Sequence, residues 1–511
     1  MAVWSDGYFT GIQYTRKYFP HMAPANMAFA CLRQGIRPPQ LGPGATYLEL
    51  GCGQGYGLNL LAAANPAIRF FGIDFNPGQI ANAQSLARSA GLGNVDFQDL
   101  SFEQLLALPE GRIPQCDVIA LHGILSWVSP ENRAHIVRIL DRHLKPGGLV
   151  TVSYNTLPGW APLMPLRGFV KAYFDRAQGP PGERALDAFR AAAQLVEQGA
   201  RGFGAAPQAK AAIEAALKLD PAYLIHEYLN DHFHPFLHAD VVRELGEARL
   251  TFAAAASFSD DMVGLAAPRP MQGQIEAETD PVWRETLLDY ANNRRFRRDI
   301  FVRGPNALAA LERDRLLRGV RLALIQPREQ VGFKFNIPMG SLAGDPEVYG
   351  IVADALAQGP KSFDELAQLS PFADTIDGPL LKVVGLLIGT GAVHPMVDED
   401  PAARTAPALN RAVVKRLAFD SAVSQLAAGA IGGGVRVAFI DLLALTAIGD
   451  KKLDHQATAR RGWEILARSG GQITKDGKAL TSQVEGEAEL VARLRDVEAT
   501  RLPMFRALGV V

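Results

Sequence analysis

The sequence predicts an α/β fold built on a doubly wound, mostly parallel sheet. Three observations predict it. Short β-prone runs alternate with helical stretches across residues 45–154. A glycine-rich turn joins the first run to the first helix. Beyond residue 155 the pattern turns helical for a long stretch, then yields two more strands. Such alternation gives parallel sheets because each crossover helix packs back onto the strands it joins.

Residues 45–50 (ATYLEL) form the first strand. The turn Gly51-Cys52-Gly53-Gln54-Gly55-Tyr56-Gly57 follows, and residues 58–65 read as a helix that Pro66 closes. Residues 69–75 (RFFGIDF) are the second strand, with Asp74 at its C-terminal end. Residues 94–97 are the third, followed by Asp99. Residues 117–121 (DVIAL) are the fourth. Residues 149–154 (LVTVSY) are the fifth, announced by Lys145-Pro146-Gly147-Gly148. Helices at 79–89 and 132–143 lie between. Residues 161–246 are helical in pattern, with segments at 166–176, 183–197, 206–218 and 239–247. Residues 249–258 (RLTFAAAASF) and 298–303 (RDIFVR) read as strands six and seven, with one helix at 274–291 between them. The helical block is therefore an insertion after strand five. It would cap the strand edge where ligands bind in such sheets, or else serve as a stabilising or dimerisation lobe.

Composition narrows the class. Of 511 residues, 48% are hydrophobic and 21% charged, which excludes wholesale disorder. Lys plus Arg number 52 against 53 Asp plus Glu, a net charge of −1. That balance argues against a nucleic-acid coat or a polybasic membrane binder. Cys31, Cys52 and Cys116 are too few for a disulfide framework or a four-cysteine zinc site. No apolar run reaches the ~18 residues of a membrane span, and no secretion signal opens the chain. The expectation is a cytoplasmic protein with no nucleic-acid partner. Its oligomeric state is open, a dimer included.

A strand, a glycine turn and a helix aim backbone N–H groups at a ligand. Glycine is needed there because the turn is tight and the ligand approaches the main chain. Asp74 can accept two hydrogen bonds from a ribose diol. Glu49-Leu50-Gly51-Cys52-Gly53-Gln54-Gly55 resembles the E-x-G-x-G-x-G motif of class I S-adenosylmethionine-dependent methyltransferases. The resemblance implies a Rossmann-like seven-stranded sheet, S-adenosyl-L-methionine as cofactor and S-adenosyl-L-homocysteine as product. It makes Asp74 the ribose-binding acid and Asp99 the adenine-proximal acid. The cofactor set it implies is Glu49, Gly51, Cys52, Gly53, Gly55, Asp74, Phe75, Asp99, Leu100 and His122. The rival is a nicotinamide dehydrogenase, whose G-x-G-x-x-G spacing this turn does not keep.

Three further stretches widen the resemblance: Asn155-Thr156-Leu157-Pro158-Gly159-Trp160, His226-Glu227-Tyr228-Leu229 and Asn292-Asn293-Arg294-Arg295-Phe296-Arg297. Together they are similar to bacterial methyltransferases with a methyltransferase regulatory domain. Some relatives of rickettsial type methylate lysines of outer-membrane proteins. That similarity places His226, Glu227 and Tyr228 at an acceptor pocket, with Trp127 beside them.

Methyl transfer asks mainly for positioning and exclusion of water. Candidates near the reacting carbon come from strand ends: His122 and Trp127 after strand four, Tyr154, Asn155 and Trp160 after strand five. Tyr14, in the N-terminal segment, would fold over the methionine end. An aromatic face attracts a sulfonium or an ammonium. His226, His232, His234 and His238 cluster, but their spacing is not H-E-x-x-H, and no metal is expected. The arginines at 294–298 form either an anion site or ion pairs with Glu285, Asp289 and Asp299.

The expected domains are 1–160 with 247–305 for the cofactor, 161–246 as cap, 306–342 as linker, 343–400 as a winged-helix-like module, and 401–511 as a C-terminal α+β region. The winged-helix reading rests on three small helices and a strand. Its third helix has one basic residue, Lys382, so it suits protein docking rather than DNA. Three functions fit: a methyltransferase of protein side chains, lysine above all; a small-molecule N- or O-methyltransferase; and a binding protein that keeps the cofactor fold without turnover.

Overall fold

The computed structural model describes residues 6–9, 16–204, 207–397, 405–416, 423–448 and 454–511. Seven strands make one sheet: β1 (Thr46–Leu50), β2 (Arg69–Asp74), β3 (Val95–Asp99), β4 (Cys116–Leu121), β5 (Leu144–Asn155), β6 (Leu250–Ala255) and β7 (Phe296–Arg303). Their order is β3-β2-β1-β4-β5-β7-β6. β1 to β5 run parallel, and β7 lies antiparallel between β5 and β6. The order reverses between β1 and β4, which opens a crevice at their C-terminal ends.

Strand parity sorts the side chains into two cores. On β1, Tyr47 faces one core, and Leu48 and Leu50 face the other. The strands read as near-continuous apolar runs because both faces are covered. One face takes the helices Pro24–Arg33, Tyr56–Ala64 and Pro77–Ala90, and the other takes Pro130–His143.

Four expectations meet corrections here. β6 stops at Ala255 rather than running to residue 258. The Asp261 carboxylate accepts the Ala255 N–H at 2.8 Å and pairs with Arg33 at 2.9 Å, which turns the chain into the short helix Phe258–Asp261. The single helix expected at 274–291 is two, Arg269–Glu276 and Pro281–Asn292. Asp280 caps the second by accepting the amides of Val282 and Trp283, and Pro281 suits its first turn. Residues 306–342 are not a linker. They hold the helix Ala310–Gly319, the strand Arg321–Leu324 and a hairpin, Lys334–Ile337 with Gly340–Ala343. Leu317, Leu322 and Phe335 share one apolar core with Tyr349, Phe363 and Val384 of the expected winged-helix segment.

Residues beyond 401 supply the fourth. The helix Ala406–Lys415 and the hairpin Gln425–Ala428/Gly433–Arg436 join the core of the sheet itself, over the helices Tyr56–Ala64 and Pro77–Ala90. The reason is in the helix YGLNLLAAA: all but Gly57 of its nine residues are buried. A helix apolar all round needs cover on its outer side as well.

The insertion packs around its own core of Trp160, Leu166, Phe174, Phe189 and Tyr228. Within it the helix Pro221–Tyr228 was not anticipated. Asp220 caps it, accepting the Ala222 amide at 2.7 Å, with Pro221 next.

Candidate functional site

The turn after β1 is shaped by positive φ. Gly51, Gly53 and Gly55 take φ of 72°, 55° and 64°. At Gly55 an added Cβ would sit 2.4 Å from the Cβ of Ala83 and 2.7 Å from the Phe97 ring. The amides of Gly51 and Cys52 donate to the Ile73 carbonyl at 2.7 and 3.0 Å, tying the loop to β2. The Gly53 amide donates to Asp74 Oδ2 at 2.8 Å, and that of Asn76 to Oδ1 at 2.9 Å.

Asp74 is thus oriented at the end of β2 with lone pairs to spare. Burial raises its pKa to about 6, against the opposing pull of the two amides. Glu49 is pushed further, to about 8, by burial and then by Asp74. Its Oε2 has no hydrogen-bond partner.

A cleft of about 640 Å³ opens at this edge, within the ~300–1,000 Å³ typical of small-molecule sites. Gly51, Gly53, Asp74, Phe75, Leu100 and His122 line one end. Trp127, Asn155, Trp160, His226 and Glu227 line the other. Glu49, Cys52 and Gly55 border a small adjoining recess together with His122. The structure therefore brings together most of the residues singled out from the sequence.

Three do not belong. Asp99 is exposed and lies outside the cleft, and Leu100 and Ser101, the next two residues after β3, line it instead. Tyr154 points into the core. Its hydroxyl donates to Asp299 at 2.5 Å and lies 3.0 Å from His238 Nδ1. Tyr228 packs inside the helical lobe against Trp160 and Phe189. Tyr14 lies outside the described residues.

His122 meets Phe19 at a centroid distance of 3.7 Å and His21 through a 3.2 Å nitrogen contact. Burial first, then Arg298 and Lys17, lower its pKa to about 3. The ring is neutral at physiological pH and a poor base. Asn155 Oδ1 accepts the Trp160 Nε1–H at 3.0 Å and fixes that ring. Arg295 lies 5.3 Å over Trp160.

The arginine run divides between the core and the cleft, and its ion-pair reading holds for Arg297. Arg297 is fully buried and pairs with Glu285, Asp289 and Asp299 at 2.7–2.8 Å. Arg295 and Arg298 face the cleft. The histidines disperse: His232 approaches Asp6, His238 joins Asp299, and His226 stacks on Tyr8 with centroids 5.5 Å apart. Among the described residues no three His, Cys, Asp or Glu gather as a metal site.

Sequence reasoning missed Tyr8, Lys17, Phe19 and Tyr223 as lining residues, and it singled out Arg295 and Arg298 only within the run 294–298. The Asp220-Pro221 helix start was a usable signal for Tyr223. Lys17 and Phe19 lie in the N-terminal segment expected over the methionine end, though Tyr14 was the residue singled out there.

The strand order, the glycine turn and the acid closing β2 define a class I S-adenosylmethionine-dependent methyltransferase, with S-adenosyl-L-methionine as its methyl donor. Comparison with known proteins agrees. Residues 48–150 match the family described as "Methyltransferase domain". Residues 220–303 match "Predicted methyltransferase regulatory domain". The second match begins at the helix Pro221–Tyr228 and runs through β6 and β7, so it takes only the last part of the helical insertion. An uncharacterized protein of Synechocystis is 33% identical over 510 residues, 99% of each chain. An uncharacterized Rickettsia prowazekii protein is 28% identical over 267 residues, 52% of this chain and 46% of that one. Among solved structures, PKMT2 from Rickettsia typhi, in complex with AdoHcy, superposes with a TM-score of 0.69 at 20% identity, over 97% of this chain and 99% of that one. The chain belongs to the same family as the Synechocystis protein, methyltransferases that carry this regulatory domain. Among the described residues no helix is long and apolar enough to cross a membrane.

Proposed function

We propose that this methyltransferase acts on the side-chain nitrogen of protein lysine. One observation carries the reading: the acceptor end of the cleft combines aromatic faces (Tyr8, Trp127, Trp160 and Tyr223) with two carboxylates, Asp6, which is engaged by Asn132, and Glu227, which has no hydrogen bond or ion pair among the described residues. That pairing suits an ammonium group on an apolar stem, since ring faces attract cations and the acid supplies the counter-charge.

The residues at the other end fit the methyl donor. The glycine turn leaves room against the main chain, Asp74 has lone pairs for the ribose hydroxyls, and the unpartnered Oε2 of Glu49 calls for a donor such as an ammonium. Leu100 and Ser101 would border the base. Bound there, S-adenosylmethionine supplies an electrophilic methyl on a sulfonium whose leaving group is neutral. The chain's own part is to orient the acceptor and keep water out. Trp160, fixed by Asn155, and Trp127 make the apolar walls. Neutral His122 adds no positive charge beside the sulfonium.

Transfer of a labelled methyl group into a bacterial lysate tests this. Label retained in protein, and released only on digestion as methylated lysine, is the expected result. Label in the small-molecule filtrate would favour a metabolite acceptor instead. Cofactor binding without any transfer would favour a non-catalytic binding protein.

A further inference from the structure

Glu227 differs from Asp6, the other carboxylate at the acceptor end of the cleft, which accepts from Asn132 and approaches His232. Glu227 sits near the C-terminal end of the helix Pro221–Tyr228 and faces the cleft. Most buried acids here are committed: Asp289 and Asp299 to Arg297, Asp261 to Arg33, Asp74 to two amides. Among the described residues Glu227 has neither an ion pair nor a hydrogen bond. It is half-buried and its carboxylate opens on the cleft, where a bound acceptor can reach it.

The groups facing it come from three elements. Arg295 approaches from the start of β7 and Lys17 from the N-terminal segment, both as through-space charges. Tyr228 is its own neighbour on the helix and feels its charge. Lys17 also lies 5.8 Å over the Tyr223 ring. Asp6, Tyr8, Asp74, His122, Arg298 and His226, the chain neighbour of Glu227, are the other charged or titratable groups that line the cleft. His122, another group in the cleft with proton-accepting chemistry, gives up its proton far below neutral pH.

We propose that Glu227 is the general base that removes the proton from the acceptor ammonium before methyl transfer; this rests on the lysine reading above. The step balances simply. The ammonium N–H bond breaks, its electron pair stays on nitrogen, and the proton forms an O–H bond on the Glu227 carboxylate. The neutral amine then attacks the sulfonium methyl, which leaves a methylated ammonium and a neutral thioether. Protonated Glu227 returns its proton to solvent when product leaves. Burial supports the role by raising the Glu227 pKa to about 7, against the pull of Arg295 and then Lys17. A base poised near the working pH is the most effective one. The sign follows: the carboxylate is the active form, so rate rises with pH through about 7.

The test is single-turnover methyl transfer to oligo-L-lysine by the full chain between pH 6 and 10. The wild type, Glu227→Gln and Glu227→Asp are compared, with S-adenosylmethionine affinity measured by calorimetry as a control. The wild-type rate should level off above about pH 7. Glu227→Gln should be slower by about 10²–10⁴-fold at pH 7. Its deficit should shrink steadily toward pH 10, as lysine sheds its proton to solvent. Glu227→Asp should restore part of the rate and keep a levelling-off, and cofactor affinity should be unchanged in both variants. A Glu227→Gln profile parallel to the wild type at every pH would overturn the base assignment while leaving lysine methylation standing. Absence of transfer to oligo-L-lysine by wild type with cofactor bound would instead overturn the lysine reading beneath it.

Discussion

The wall carrying Gly51, Gly53 and Asp74 is made of main chain and one strand end, whereas the wall carrying Tyr223, Glu227 and Arg295 is made of long side chains from separate stretches. On the first, left-handed glycines and amide hydrogen bonds fix the shape and orient the Asp74 carboxylate. On the second, an N-terminal segment, a short capped helix and the start of β7 each contribute rings or charges. The difference teaches how a common donor and a variable acceptor are served by one cleft. Main-chain geometry tolerates few substitutions, so it suits a part that every reaction shares. Long side chains can be exchanged singly, so they suit the part that selects.

Substitutions should separate the two walls. The largest effect is expected at Gly55→Ala. Its φ of 64° disfavours a Cβ, and the methyl would meet Ala83 at 2.4 Å with no flexible atom to yield. Left-handed strain of about 1–2 kcal/mol and overpacking of about 1–3 kcal/mol should lower unfolding stability and abolish measurable cofactor binding. Denaturant titration and calorimetry would read both. Asp74→Ala comes next. Losing charge-assisted hydrogen bonds to the ribose, each worth about 1.5–3 kcal/mol, should weaken cofactor affinity roughly 10- to 150-fold. Unchanged affinity would break the assignment of this wall.

Trp127→Ala belongs to the other wall. Losing one aromatic face is worth about 0.5–2 kcal/mol. The acceptor KM should rise while calorimetric cofactor affinity stays put; a parallel fall in both would erase the distinction between the walls. Asp99→Ala should do least. An exposed side chain outside the cleft should leave cofactor affinity within about 0.5 kcal/mol, measured in the same titration.

Each success and failure of the sequence reading has a local cause. All seven strands were legible because apolar runs end at turn residues and Gly51–Gly57 marks the switch from strand to helix. Tyr154 was misread although its parity was available. Val150, Val152 and Tyr154 share one face of β5 and enter one core, while Asn155 faces the cleft. Asp99 ends β3 with its side chain exposed, while the next two residues, Leu100 and Ser101, line the cleft, and which residue at a strand end faces a ligand is set by the local turn. The helix break at Asp280-Pro281 was visible as a cap and was overridden by the surrounding periodicity. Lys17, Phe19 and Arg298 reach the cleft only through long-range packing, which no local pattern announces.

The cover over the helix Tyr56–Ala64 has a consequence for how the chain is made. Its outer face is closed by the helix Ala406–Lys415 and the hairpin Gln425–Ala428/Gly433–Arg436, which a ribosome reaches some 340 codons later. At ~5–20 residues per second that is a delay on the order of tens of seconds. During it a nascent sheet stands with one apolar side open to water. The segment that begins the fold first is thus completed nearly last. Such an order of manufacture favours chaperones that bind nascent chains, and it makes a truncated message yield an unfinished, aggregation-prone product rather than a smaller working enzyme.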